Sequence, residues 1–333
     1  MTNNENKNNN NNNVPSWINV KLFENALREA VGDYKAIENF KVANALGPGE
    51  NFATLMLRVR VELLLSDDSH QVKNFMMKVA LDNELYREHM SKWEMFKKEA
   101  GMYRDIVPEL EEMYRRRGCG NLSERGFRNV KRQDGLDMMH TKCVLRKIAQ
   151  WHAATAVRVL EKGPYDEQYL DGFFTEDSRE FCDQMFKGTL KHVLAAARKL
   201  PNHEEYYGQI ESLFSHFTDT MYSQLVSGEN SGDEFIALNH GDFWCNNIMF
   251  QYDDDNSAPK ETYFVDLQMP RYGPVAQDLL YFILSSTQAD LKVQHFDELI
   301  QYYYEHLIES LKLLEYSKPL PKLRDIHDQK NRQ

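Results

Sequence analysis

Residues 235–268 read FIALNHGDFWCNNIMFQYDDDNSAPKETYFVDLQ, and the fold is decided here. The apolar run Phe235–Leu238 delivers His240, Gly241 and Asp242 at its end. Asn247 follows, then a second run, Ile248–Phe250, a polar turn over Asp253–Lys260, and a third run, Tyr263–Val265, ending on Asp266. Apolar runs parted by turn-rich segments predict short strands. Two carboxylates and a carboxamide therefore sit at strand ends, where they can converge without being buried. Phosphoryl transfer asks for this set: a carboxylate to orient a hydroxyl and take its proton, and hard oxygens to hold Mg²⁺ on nucleotide phosphates. Asp242 suits the first task, Asn247 and Asp266 the second.

HGDFWCNN followed by VDLQ resembles the catalytic segment of the small-molecule kinases built like eukaryotic protein kinases. These include the choline and aminoglycoside phosphotransferases and, most similar, the insect ecdysteroid-kinase-like (CHK-kinase-like) family. His240, Asp242 and Asn247 match that superfamily's H-x-D-x-x-x-x-N spacing, and Asp266 matches the metal-binding Asp of D-F-G, written here Asp-Leu-Gln. The resemblance implies a catalytic pair His240 and Asp242, metal ligands Asn247 and Asp266, and ATP with Mg²⁺ as cofactors. It also implies an α+β, two-lobed, protein-kinase-like fold: an antiparallel sheet plus helix in a small lobe, and a large, mostly helical lobe. A hairpin with a surface Asp and a capping Asn is the plainer reading of the same residues.

Upstream, residues 1–13 are nearly all Asn with a few charges, have nothing to bury, and predict a disordered tail. Leu22, Ala26, Leu27 and Ala30 give a short amphipathic helix, and Tyr34–Ala45 is strand-like. Leu57, Val59, Val61 and Leu63 alternate with Arg58, Arg60 and Glu62, a half-buried strand, and Val72–Val79 returns as another. Between Tyr34–Ala45 and the Leu57 strand lies Gly47-Pro48-Gly49-Glu50-Asn51, a turn able to lie over phosphates through its backbone N–H groups. Gly49–Thr54 matches the family's G-E-N-F-A-[ST], so the resemblance implies cofactor contacts for Gly49 and Asn51. Lys78 lies on the Met76 face, opposite Phe75, Met77 and Val79, and a charge in an apolar strand needs a partner or a cleft. The resemblance implies the strand lysine of the phosphates, with Glu99, in the helical stretch Glu84–Tyr103, as its support. A snorkelling lysine and a solvated glutamate are the alternative.

The small lobe is expected over residues 14–117, a shortened connector over 118–135, and a helical large lobe over 136–317. Gly118–Gly135 holds no apolar alternation, whereas the family places further strands and an acidic hinge there. The stretch reads as an internal deletion, leaving the small lobe short of strands and the adenine site in question. Downstream, Leu136–Val226 is read as helical, with Ser178–Lys199 and His203–Val226 as its later helices; Met269–Pro274 is read as a turn, and Asp290–Glu315 as one amphipathic helix. Trp151, His152 and Ala153 resemble the family's helix beneath the catalytic loop, and Asp278 its structural Asp. The charged tail 318–333 is expected to be loose, and by the resemblance the chain ends short of further helices.

The totals bound the rest. Forty basic against 51 acidic residues leave −11, which argues against a nucleic-acid surface. Four cysteines with no C-x-x-C pair fit reduced thiols. No secretory segment opens the chain and no apolar run nears the ~18–20 residues of a membrane helix, so a cytoplasmic protein away from membranes is expected. A monomer is the expectation. The implied activity is ATP-dependent phosphorylation of a small molecule's hydroxyl, an ecdysteroid or other hydroxylated compound. Two other classes stand beside it: an inactive kinase-shaped binding protein without a working adenine site, and a metal-dependent hydrolase using His240, Asp242 and Asp266.

Overall fold

The computed structural model describes residues 14–45, 54–80, 92–118, 127–225, 234–253 and 258–332. The chain is α+β and folds as two compact units, Met1–Trp93 and Glu94–Gln333.

In the first unit, helix α1 (Glu24–Val31) precedes an antiparallel sheet of order β1-β2-β3: Tyr34–Asn44, Thr54–Leu65 and His70–Ala80. The predicted alternation holds: Leu57, Val59, Val61 and Leu63 are fully buried, while Arg58 and Arg60 are exposed. In the register, Leu57 faces Met77 and Val59 faces Phe75, so these side chains share one face of the sheet. Leu27 and Phe23 cover that face, the Phe23 ring 5.5 Å from Phe75 and 5.7 Å from Phe40. Lys78 is in register with Met56 on the opposite face, beside exposed Met76. Gly49 and Asn51 lie outside the described residues, as does the first part of the stretch leading to Glu99.

The second unit opens with α2 (Met95–Gly101), a π-turn (Met102–Ile106) and α3 (Val107–Arg115). Sequence reading put these helices with the small lobe; here they group with the second unit. The physical reason is one apolar stripe, Met102, Ile106, Leu110 and Met113, buried in the same core as Leu145 and Ile148. Its central helix, α4 (Met138–Lys162), is capped by the Asp137 carboxylate and stopped at Gly163. Helices α5 (Arg179–Ala197), α6 (Tyr207–Ser215) and α7 (Phe217–Leu225) follow. Further on come α8 (Ala276–Ser286), α9 (Ala289–Gln294) and α10 (Phe296–Leu313), the last packing along α4. Sequence reading runs α6 into α7 and α9 into α10. Each pair is instead broken at a histidine with φ near −120°, His216 and His295, and the His295 ring bonds Glu298 in the turn that restarts the helix.

Within the described part of the connector, 127–135, no strand longer than one bridge appears. Arg128 exchanges both backbone hydrogen bonds with Phe250 at 2.9 Å, and Asn129 Nδ2 donates to Asn246 and Ile248 carbonyls. This short piece therefore borders the hairpin of Ile248–Phe264. The expectation of a loose tail is corrected. Leu323–Arg332 is helix α11, with Ile326 buried and Gln329 Nε2 donating to the Phe235 carbonyl at 2.7 Å. The stretch is charged overall, but half-buried Leu323 and buried Ile326 one turn apart seat it on the core. No helix among the described residues is long and apolar enough to cross a membrane.

Candidate active site

Two small antiparallel pairs build the site in the second unit. Strand β5 (Ile248–Tyr252) pairs with β6 (Pro259–Phe264); β5 matches the second predicted run, whereas β6 begins inside the expected polar turn and shares only Tyr263 and Phe264 with the third. Strand β4 (Ile236–Asn239) pairs with β7 (Arg271–Pro274), a segment that its Pro and Gly residues had marked as a turn. Pro274 sits at the strand's end, where a missing N–H costs least. Asn239 Nδ2 reaches the Arg271 and Gly273 carbonyls and ties β4 to β7 where the His240–Asn247 loop begins.

The loop passes through Gly241 at φ +84°, and a Cβ built there would lie 1.7 Å from the Met269 carbonyl oxygen. Only glycine fits. His240 is fully buried; its Nε2 bonds the Val265 carbonyl at 2.9 Å, and Nδ1 accepts the Asp242 N–H at 3.3 Å. This network puts the ring proton on Nε2. With both nitrogens engaged inside the protein, His240 links the Asp242 loop to the segment before Asp266.

Asp242 is half-buried, and each carboxylate oxygen holds a donor. Asn247 Nδ2 donates to Oδ2 at 2.9 Å, and the Tyr281 hydroxyl donates to Oδ1 at 3.1 Å. Burial pushes the Asp242 carboxyl above the ordinary carboxylate range, and the nearby Asp266 charge adds to that push. A base with a raised pKa takes a hydroxyl proton more readily. Asn247 Nδ2 also donates to the Asp242 carbonyl at 2.8 Å, so its amide hydrogens are committed and its oxygen is the ligand-capable end. Asp266 stands at φ +67°, a left-handed conformation sparsely used by residues other than glycine and enriched at functional sites.

Behind the loop lies a support that sequence reading saw only in part. Fully buried Asp278, on α8, accepts the His240 N–H at 2.6 Å and the Gly241 N–H at 3.0 Å, the part the resemblance implied for it. His152 Nε2 lies 3.3 Å from the same carboxylate, and its Nδ1 is 2.8 Å from the Tyr303 hydroxyl. Trp151 Nε1 donates to the Leu238 carbonyl at 2.6 Å. Two tyrosines were missed. Tyr281, the first, lies three residues after Asp278 on the same helix face. Tyr103, one turn after Glu99, places its hydroxyl near Glu99, Tyr263 and the backbone N–H of Asp266; burial first, then Glu99, pushes its pKa up. Lys78 belongs to the first unit.

Among the described residues no three His, Cys, Asp or Glu side chains cluster to hold a metal alone. A catalytic zinc site is held by three such side chains. Mg²⁺ on a nucleotide needs less, one or two protein oxygens with phosphates and water completing the shell. The Asn247 oxygen and the Asp266 carboxylate fit that demand.

No curated protein matches the chain. Among solved structures, a mutant aminoglycoside 2′-phosphotransferase-IIIa in its GDP complex matches at 13% identity and a TM-score of 0.34, over 89% of this chain and 96% of that one. The Ecdysteroid kinase-like family matches residues 48–120 and 119–316, in two pieces that meet at Cys119 and Gly120, inside the connector where strands are expected to be missing. With the matched residues spanning most of its length, the chain belongs to the ecdysteroid kinase-like family.

Proposed function

We propose that the protein transfers the γ-phosphoryl group of ATP to a hydroxyl of a small molecule, an ecdysteroid or another hydroxylated compound. The observation that carries this is the Asp242 carboxylate, half-buried, held at both oxygens and beside Asp266. As the acceptor oxygen bonds to the γ-phosphorus and the bridging P–O bond breaks, the hydroxyl proton passes to Asp242 and ADP leaves. Asn247 and Asp266 would hold Mg²⁺, which when bound neutralises charge on the phosphates. Family membership supports Lys78 and Glu99 in phosphate binding, and the Gly49 turn with Asn51 over the nucleotide. The only partner in this reading is the acceptor; a monomer acting in the cytoplasm, away from nucleic acid, accords with a net charge of −11 and with buried, free Cys143, Cys182 and Cys245.

A second reading, a kinase-shaped binding protein without an adenine site, is favoured by one observation: the family match changes pieces at residues 119–120. One experiment separates the two. The melting temperature of the full chain is followed with ATP, with and without Mg²⁺, beside Asp266→Asn. Asn tolerates the left-handed conformation, so this variant should melt like the parent without ligand. At 100 times its dissociation constant a ligand stabilises by about 2.7 kcal/mol. At roughly 2–4 °C per kcal/mol the parent should gain about 5–10 °C with Mg²⁺ and ATP. The variant should lose the magnesium-dependent part. A parent none of whose thermal transitions shifts with Mg²⁺ and ATP hands the lead to the second reading.

A further inference from the structure

We propose that Tyr281 is a positioning residue for the proton acceptor Asp242, its hydroxyl locking the carboxylate in the one rotation that meets the incoming hydroxyl. The proposal rests on the phosphotransfer reading above. Its ground is the division of labour around the carboxylate. Asn247, from the loop itself, holds Oδ2 at 2.9 Å, and Tyr281, from α8, holds Oδ1 at 3.1 Å. Anchored from two elements, the group cannot turn about its Cβ–Cγ bond without losing one hydrogen bond. Each oxygen still keeps a lone pair for a hydroxyl proton.

The place of Tyr281 on its helix says more. Asp278, one turn earlier, is wholly buried and grips the backbone of His240 and Gly241. Tyr281 takes the next residue, Asp242, so one helix face holds three successive loop positions. Yet Tyr281 is 40% exposed, so its ring is not needed to fill the core. An aromatic ring left partly in water, with its hydroxyl turned onto a half-buried carboxylate, is accounted for by that hydrogen bond. Burial, and then the Asp242 charge, push the Tyr281 pKa up. The phenol therefore keeps its proton and remains a donor to Asp242; it does not compete as a base.

The test needs no acceptor molecule, because water can stand in for it. Phosphate release from Mg²⁺-ATP is followed with the full chain, Asp242→Asn and Tyr281→Phe, together with each protein's melting temperature. The phenylalanine keeps the ring and removes only the hydroxyl. Loss of one positioned hydrogen bond should lower kcat roughly tenfold, with KM for Mg²⁺-ATP and the melting temperature unchanged. A Tyr281→Phe variant with parental kcat overturns the proposal, as does one whose kcat falls only in step with its melting temperature. If the parent releases phosphate no faster than Asp242→Asn, the phosphotransfer reading itself fails and takes the proposal with it.

Discussion

Gly241 and Asp266 both stand at positive φ, but for different reasons. At Gly241 the obstacle is space as well as conformation, since a methyl group would collide with the Met269 carbonyl. Gly241→Ala must move either the catalytic loop or the segment after Asp266. It is expected to destabilise by about 2 kcal/mol or more and to abolish phosphate transfer, as read by chemical denaturation and turnover. At Asp266 only the backbone is strained, at φ +67°, which is why Asn is the fitting replacement in the nucleotide melts. The His240 ring, with both nitrogens occupied, behaves as a strut between these two strained points.

Helices hold the site through few, specific contacts. Helix α8 carries Asp278 and Tyr281; α4 carries Trp151 and His152; α11 reaches the Phe235 carbonyl through Gln329. Ile326 is the buried anchor of α11, so Ile326→Ala should cost about 2–5 kcal/mol in urea unfolding. A value near zero would mean that the terminal helix is not docked. Helices α3 and α4 are joined by Glu109, which meets Arg158 at 2.9 Å and Lys162 at 2.7 Å. Burial works to raise the Glu109 pKa, but hydrogen bonds from Lys162 and Arg158 outweigh it and leave the pKa below 4.5. A depressed folded pKa means stability that is present above the unfolded value and lost as pH falls through the folded one. Glu109→Gln should therefore lower stability by about 1 kcal/mol at neutral pH. That difference should shrink as the pH drops below 4.5, the ordinary value of the group. A gap that persists at lower pH would assign it to packing.

Across the whole molecule, the two units differ in what holds them together. Among the described residues the first has a core of seven buried apolar side chains, from Ile18 to Leu63, while the second buries a far larger set that runs from Met102 to Ile326. Small cores leave small stability margins. Backbone amides of β2 should therefore exchange with deuterium before those of α4, and heating should show the first unit melting ahead of the second. A single transition with equal protection would overturn this. The α+β class, the buried alternation of β2, and the spacing of Asp242, Asn247 and Asp266 were legible in the sequence because each is a local pattern with a fixed period or offset. The same local logic erred at Arg271–Pro274, where turn-forming residues lie in a strand, and at the tail, where net charge concealed an apolar pair. What only the tertiary structure decided was which distant groups meet: Tyr281 with Asp242, Asp278 with His240 and Gly241, Tyr103 with the Asp266 backbone. The Asp242–Tyr281 bond spans 39 positions of chain. Helix packing, not any repeat in the sequence, sets that meeting.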